Sequence, residues 1–135
     1  MDEITAAWLE YANADLETAS FLYEKQHPRQ LEIICYHCQQ AAEKAIKALY
    51  VALDIPGGIP RKHDLSFLLR QISGNVRVPE SINNSAIELD PYGIIVRYPG
   101  DDRVDDALTK RAIEQAKAIM EWAKGNITQI DPTEG

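Results

Sequence analysis

The sequence predicts an all-α protein, an up-and-down bundle of about five helices. Apolar residues recur at the three-and-four spacing of a buried helical face in five segments, and no segment shows the sustained alternation of a strand. The segments are separated by proline- and glycine-rich breaks, as expected where antiparallel helices are joined. At 135 residues without an internal repeat, the chain fits one domain, since domains run to roughly 100–200 residues.

Each element has its own justification. Over residues 3–25, Trp8, Tyr11, Ala12, Ala19 and Leu22 share a face, and His27-Pro28 closes the helix because the residue before a proline is pushed out of the helical region. A second helix runs from near Arg29 to Asp54. Its stripe of Ile34, Cys38, Ala41, Ala42, Ala45, Leu49 and Ala52 is small enough to let neighbours approach closely, which predicts a central position. The run Ile55-Pro56-Gly57-Gly58-Ile59-Pro60 is a loop. Asp64 suits the N-cap of a short third helix carrying Leu65, Leu68, Leu69 and Ile72, closed by Ser73-Gly74-Asn75. Pro79 opens a fourth helix with Ile82, Ala86, Leu89, Gly93 and Val96 on one face, interrupted or kinked at Pro91. After the break Arg97–Asp102, Asp105 and Asp106 complement the positive end of a fifth helix, whose buried side is Leu108, Ala112, Ala116, Ile119 and Ala123. Gly125-Asn126 reads as its stop, so residues 1–126 form the helical domain and 127–135 a flexible tail.

Composition narrows the function classes. Hydrophobic residues at 45% and charged residues at 26% are ordinary for a globular chain and argue against disorder. A net charge of −7 disfavours a broad grip on a nucleic-acid backbone, which draws on clustered Lys and Arg, and leaves only a local basic patch. No window approaches the roughly 20 apolar residues of a membrane span, and no basic-then-apolar leader precedes the first helix. Two cysteines three residues apart are no disulfide framework, so Cys35 and Cys38 read as free thiols of a cytoplasmic protein.

On the second helix His37, Gln40, Lys44 and Lys47 stand at i, i+3, i+7 and i+10 and form a polar, basic face. One reading is a solvated surface on which Glu43 pairs with Lys47 across one turn. The other is a phosphate-contacting wall, joined by Arg97 and Arg103, whose guanidiniums can hold phosphate oxygens in pairs. Asp15 lies on the apolar face of the first helix and requires a buried partner, for which Lys44 and Arg97 are candidates. His63-Asp64 reads as a capping aspartate with an adjoining histidine, the other reading being a histidine of the site. Cys35, His37 and Cys38 lack the second ligand pair of a zinc site, so neither a metal nor another cofactor is expected. Phosphate-binding glycine loops and the G-x-S-x-G elbow are absent.

Four stretches resemble the HEPN family, the "higher eukaryotes and prokaryotes nucleotide-binding" domain. They are Ala14-Asp15-Leu16 with Ala19, the run from His37 through Gln39-Gln40-Ala41-Ala42-Glu43-Lys44 to Leu49, Lys62-His63-Asp64-Leu65, and Arg97-Tyr98-Pro99. The resemblance spans nearly the whole chain. It implies a helical bundle that commonly forms homodimers and is often encoded beside a minimal nucleotidyltransferase in a toxin–antitoxin pair. Many such proteins are metal-independent ribonucleases that use an Arg followed after four to six residues by a His. Here those positions after Arg97 are Asp102, Arg103 and Val104, and no histidine follows His63. The catalytic residues are therefore unassigned. The leading expectation is a homodimeric nucleotide-binding or regulatory partner of a nucleotidyltransferase, which holds a nucleotide or RNA end through Arg97, Tyr98, Lys44, Lys47, His37, Gln40 and Arg103, with Asp15, Glu43, His63 and Asp64 in support. The alternatives are a ribonuclease toxin with a non-standard site and a purely structural interaction protein.

Overall fold

A computed structural model describes residues 1–94 and 104–130 of the chain. The described residues form five α-helices: α1 (Glu3–Lys25), α2 (Leu31–Ala52), α3 (Leu65–Ile72), α4 (Glu80–Leu89) and α5 (Asp106–Ile130), with a 3-10 turn, Asp90–Gly93, after α4. No strand occurs among the described residues. None of the helices is long and apolar enough to cross a membrane.

Local chemistry sets the helix starts. The Asp2 carboxylate accepts from Thr5 N at 2.8 Å, Asp64 from Phe67 N at 3.0 Å and Asp105 from Leu108 N at 2.8 Å, each supplying an acceptor to an otherwise unpaired backbone donor. Pro79 stands at the N-cap of α4, where its missing N–H costs nothing. In the loop after α2, Gly57 at φ 88° and Gly58 at φ 73° occupy the left-handed region that side chains disfavour.

The core forms around α2, which packs against α1, α5, α3, α4 and the 3-10 turn. Ile34, Cys35, Cys38, Ala41, Ala42, Ala45, Ile46, Ala48 and Leu49 are all fully buried along it. The alanines admit close helix approach, while each buried Ile or Leu contributes about 1.5–3 kcal/mol of transfer free energy. Neighbours complete the core: Ala12, Leu16 and Ala19 from α1, Leu65, Leu68, Leu69 and Ile72 from α3, and Ala116, Ile119 and Ala123 from α5. Tyr50 is buried among them, and its hydroxyl donates to the Leu68 carbonyl at 2.6 Å, tying α2 to α3.

Four details differ from the sequence expectation. Tyr11 is exposed, and the inner face of α1 uses Thr5 and Leu16 beside Ala12 and Ala19. Leu108 is exposed and Thr109 takes the interior position, because its hydroxyl donates to the Asp105 carbonyl at 2.8 Å and lies 3.6 Å from Cys35 Sγ. The fourth helix is interrupted at Pro91 as expected, but Gly93, expected on its face, stands instead in the 3-10 turn, where Tyr92 is buried; Val96 lies outside the described residues. Finally, α5 runs through Gly125-Asn126 to Ile130, moving the helical boundary past residue 126. Burial of Ile127 outweighs the roughly 1 kcal/mol that a helical glycine costs. Residues 131–135 of the expected tail lie outside the described residues.

Candidate functional site

Two polar clusters lie along α2, one facing α1 and the other facing the loop that leads into α3. In the first, Asp15 of α1 carries a side chain only 12% exposed, with both oxygens engaged. Oδ1 is 2.9 Å from His37 Nδ1 and Oδ2 is 2.5 Å from Lys44 Nζ. Lys44 is thus the partner that the carboxylate required, and His37 is a second one that the sequence did not disclose. His37 and Lys44 keep 26% and 28% of their side chains exposed, so both reach solvent from above a sheltered carboxylate.

The second cluster centres on Glu43, whose side chain is 4% exposed. Oε2 accepts from Lys47 Nζ at 2.8 Å and lies 3.1 Å from His63 Nδ1, and Oε1 accepts from Gln39 Nε2 at 3.3 Å. Gln39 Nε2 also donates to the His63 carbonyl at 3.0 Å, while Gln39 Oε1 accepts from Gln40 Nε2 at 2.8 Å. Gly93 packs on this network so closely that a Cβ there would meet Gln39 Cδ at 3.1 Å. The 3-10 turn is therefore seated on Gln39. Trp8 covers the other side, with Lys47 Nζ 5.7 Å from its ring centroid.

The two clusters separate residues that the sequence placed on one basic face. Glu43 and Lys47 do pair across one turn, yet the pair is enclosed rather than solvated, and Lys47 points its charge inward. Lys44, His37 and Gln40 remain accessible at the surface of α2. His63 has 82% of its side chain exposed despite its bond to Glu43. Arg97, Tyr98 and Arg103 lie outside the described residues. Three participants were not singled out from sequence: Gln39, which reads as one polar residue among several, Trp8 as a lid, and Asp90.

Asp90, from the 3-10 turn, places its carboxylate on the N-terminus of α3. It accepts from Leu65 N at 2.6 Å and from Ser66 Oγ at 2.7 Å, beside the Asp64 cap. The bond from Phe67 N holds the Asp64 carboxyl below the usual range, while burial, with Asp64 as a further contributor, pushes Asp90 above it. This arrangement fixes the His63 end of the second cluster.

The thiols are core groups. Cys35 and Cys38 are fully buried, and burial followed by the neighbouring Cys35 drives the Cys38 thiol far above its ordinary range. Among the described residues, no three His, Cys, Asp or Glu side chains gather as a metal would need.

With this geometry in place, comparison with known proteins decides the family. The HEPN domain model matches residues 5–126. The chain belongs to the HEPN family. An archaeal HEPN homologue of known crystal structure is 28% identical, with a TM-score of 0.75 over 93% of this chain and 99% of that one. A protein from Thermus thermophilus is 25% identical, with a TM-score of 0.78 over 92% and 98%. A HEPN domain protein from Thermotoga maritima shares the fold at 24% identity and a TM-score of 0.73, over 90% of this chain and 98% of its own. No curated protein gives a significant match. The five-helix bundle is accordingly the HEPN fold, and α2 with its His37–Leu49 run is the helix around which this HEPN domain is built.

Proposed function

We propose that this HEPN domain is the nucleotide-binding or regulatory component of a two-component, toxin–antitoxin type module whose other member is a minimal nucleotidyltransferase, and that it works as a cytoplasmic homodimer without catalysis of its own. The observation that carries the reading is the Asp15 cluster. One sheltered carboxylate holds His37 and Lys44 at the surface of α2. An ammonium group has three donors and Asp15 engages one, leaving two for phosphate oxygens. Gln40 adds a polar side chain on the same helix, and Arg97 and Tyr98 follow Ile94 by three and four residues in sequence. Lys47 belongs to the enclosed pair and supports the fold, so the ligand set narrows to Lys44, His37 and Gln40 with Arg97, Tyr98 and Arg103. Because the sequence carries no histidine after Arg97, the family's ribonuclease motif is incomplete and binding is favoured over cleavage.

The test is thermal melting with nucleotides and short RNA, chelator present. The expected result is a ligand-dependent rise in Tm that disappears in Lys44→Ala and persists, from a lower starting Tm, in Lys47→Ala. No rise with any nucleotide or RNA would overturn the nucleotide-binding reading. Co-purification with a nucleotidyltransferase encoded alongside would then decide whether the domain serves as a regulatory subunit.

One observation favours a second reading, a ribonuclease with a non-standard site. Asp15 engages His37 at Nδ1, and Nε2, at the other edge of the ring, has no partner among the described residues. That is the orientation a general base requires. Metal-independent RNA cleavage lost in both His37→Ala and Arg97→Ala would establish it, and no cleavage by the unaltered protein would remove it.

A further inference from the structure

The outward side of α1 carries a pattern that neither the core nor the Asp15 cluster uses. Ile4, Ala7, Tyr11, Ala14, Thr18 and Phe21 follow one another at alternating intervals of three and four residues, the a/d repeat of a coiled-coil seam. The residues that α1 buries, Thr5, Ala12, Leu16 and Ala19, belong to a different face. The seam instead meets solvent: Ile4 is 63% exposed, Tyr11 60% and Phe21 64%. Three large apolar side chains in line on one helix form an apolar strip rather than the scattered exposure of an ordinary surface.

Charge identifies the occupant. Glu3, Glu10, Glu17 and Glu24 recur every seven residues beside the seam, and all four are exposed. They occupy the flanking position whose partner across a coiled coil sets orientation and choice of mate. A second copy of α1 laid antiparallel would bring this row against itself, four like charges facing four. Laid parallel, it would set the row against Trp8, Asp15 and Leu22, which α1 already turns toward its own bundle. The remaining mate is a helix whose own flank is basic. We propose that the outer face of α1 docks an amphipathic helix of a partner protein, with apolar residues packed on Ile4, Tyr11 and Phe21 and a Lys- or Arg-rich flank opposite Glu3, Glu10, Glu17 and Glu24.

This surface is separate from the Asp15 cluster and does not rest on the nucleotide reading. The test uses the full chain and two labelled synthetic helical peptides of about three heptads. Both carry leucine at a and d; one has lysine and the other glutamate at the flanking positions. In an anisotropy titration the lysine peptide binds at least roughly tenfold more tightly, a difference of about 1.4 kcal/mol. The double substitution Tyr11→Ser/Phe21→Ser weakens it by a similar factor, and Glu10→Lys/Glu17→Lys transfers the preference to the glutamate peptide. All four positions are exposed, so helical content and Tm serve as the folding control. Equal binding of the two peptides, binding of neither, or binding unchanged in the double variant would overturn the proposal. So would sedimentation showing that Tyr11→Ser/Phe21→Ser dissolves a dimer, which would assign the face to a second copy of this chain.

Discussion

Asp15 and Glu43 present the same problem at the residue scale: a carboxylate withdrawn from water between one lysine and one histidine. They differ in what is left behind when the carboxylate is removed. Lys47 has 11% of its side chain exposed and lies against Trp8, so truncation of Glu43 strands an ammonium group without a counter-charge. Lys44, at 28%, can swing its flexible stem into solvent. Glu43→Ala is therefore expected to cost about 3–5 kcal/mol, the range for breaking a buried pair. Asp15→Ala should cost only about 1.5–3 kcal/mol, the range for hydrogen bonds to a charged group. Urea denaturation of the two variants checks this, and equal losses would contradict the difference in burial. The sequence showed half of this contrast. Asp15 stands out because it interrupts an apolar stripe, whereas Glu43 and Lys47 read as an ordinary surface pair at i and i+4. Their enclosure depends on Trp8 and on the chain around His63, 24 residues beyond Gln39, and no local pattern encodes that meeting.

At the scale of an element, α3 shows how two acids can share one helix end with opposite consequences. The Asp64 carboxyl is held below the ordinary aspartate value, so its contribution is present above that value and is lost as pH falls through the depressed one. Asp90 is pushed above the ordinary value, so its contribution is fully present below the ordinary value and is lost as pH rises through the raised one. Melting wild type beside Asp64→Asn and Asp90→Asn across acidic to neutral pH should then give differences of opposite slope. The advantage of wild type over Asp64→Asn shrinks on acidification, and its advantage over Asp90→Asn grows. Parallel slopes would refute the assignment. The Asp64 cap was legible because capping is local in sequence, four residues including the helix start. Asp90 is 25 residues from the donor it serves and was not. The ends of α5 teach the same lesson: Asp105 was legible as an acid suited to the start of the helix, but Gly125-Asn126 was a false stop because the burial of Ile127 is a tertiary quantity.

The whole molecule is organised on α2, and its two thiols report on that organisation. Cys35 and Cys38 lie in the stripe that faces the other helices, and no exposed face of the bundle offers a reagent access to them. Ellman's reagent should label neither cysteine on the native protein, and labelling in urea should follow the loss of helical signal. Fast labelling of the folded chain would mean that α2 is less enclosed than the structure shows.

Net charge sets the last expectation. A chain of net charge −7 repels polyanions at long range, so any nucleotide or RNA end must be held by short-range contacts from few cations. At the Asp15 cluster the carboxylate already pairs with Lys44, so the cluster offers a phosphate only the remaining donors of that one ammonium group. Counterion release from single strands scales as about 0.7 per neutralised phosphate, so one to three contacts, from Lys44, Arg97 and Arg103, give a slope of log Kobs against log salt of about −0.7 to −2.1. A domain that grips the backbone along a basic surface gives a far steeper slope. Titrating a short RNA at several salt concentrations separates the two. A shallow slope that falls by about 0.7 in Lys44→Ala supports recognition of an end at α2. A slope steeper than about −3 would require more cations than Lys44, Arg97 and Arg103 together supply, and would move the site away from the Asp15 cluster.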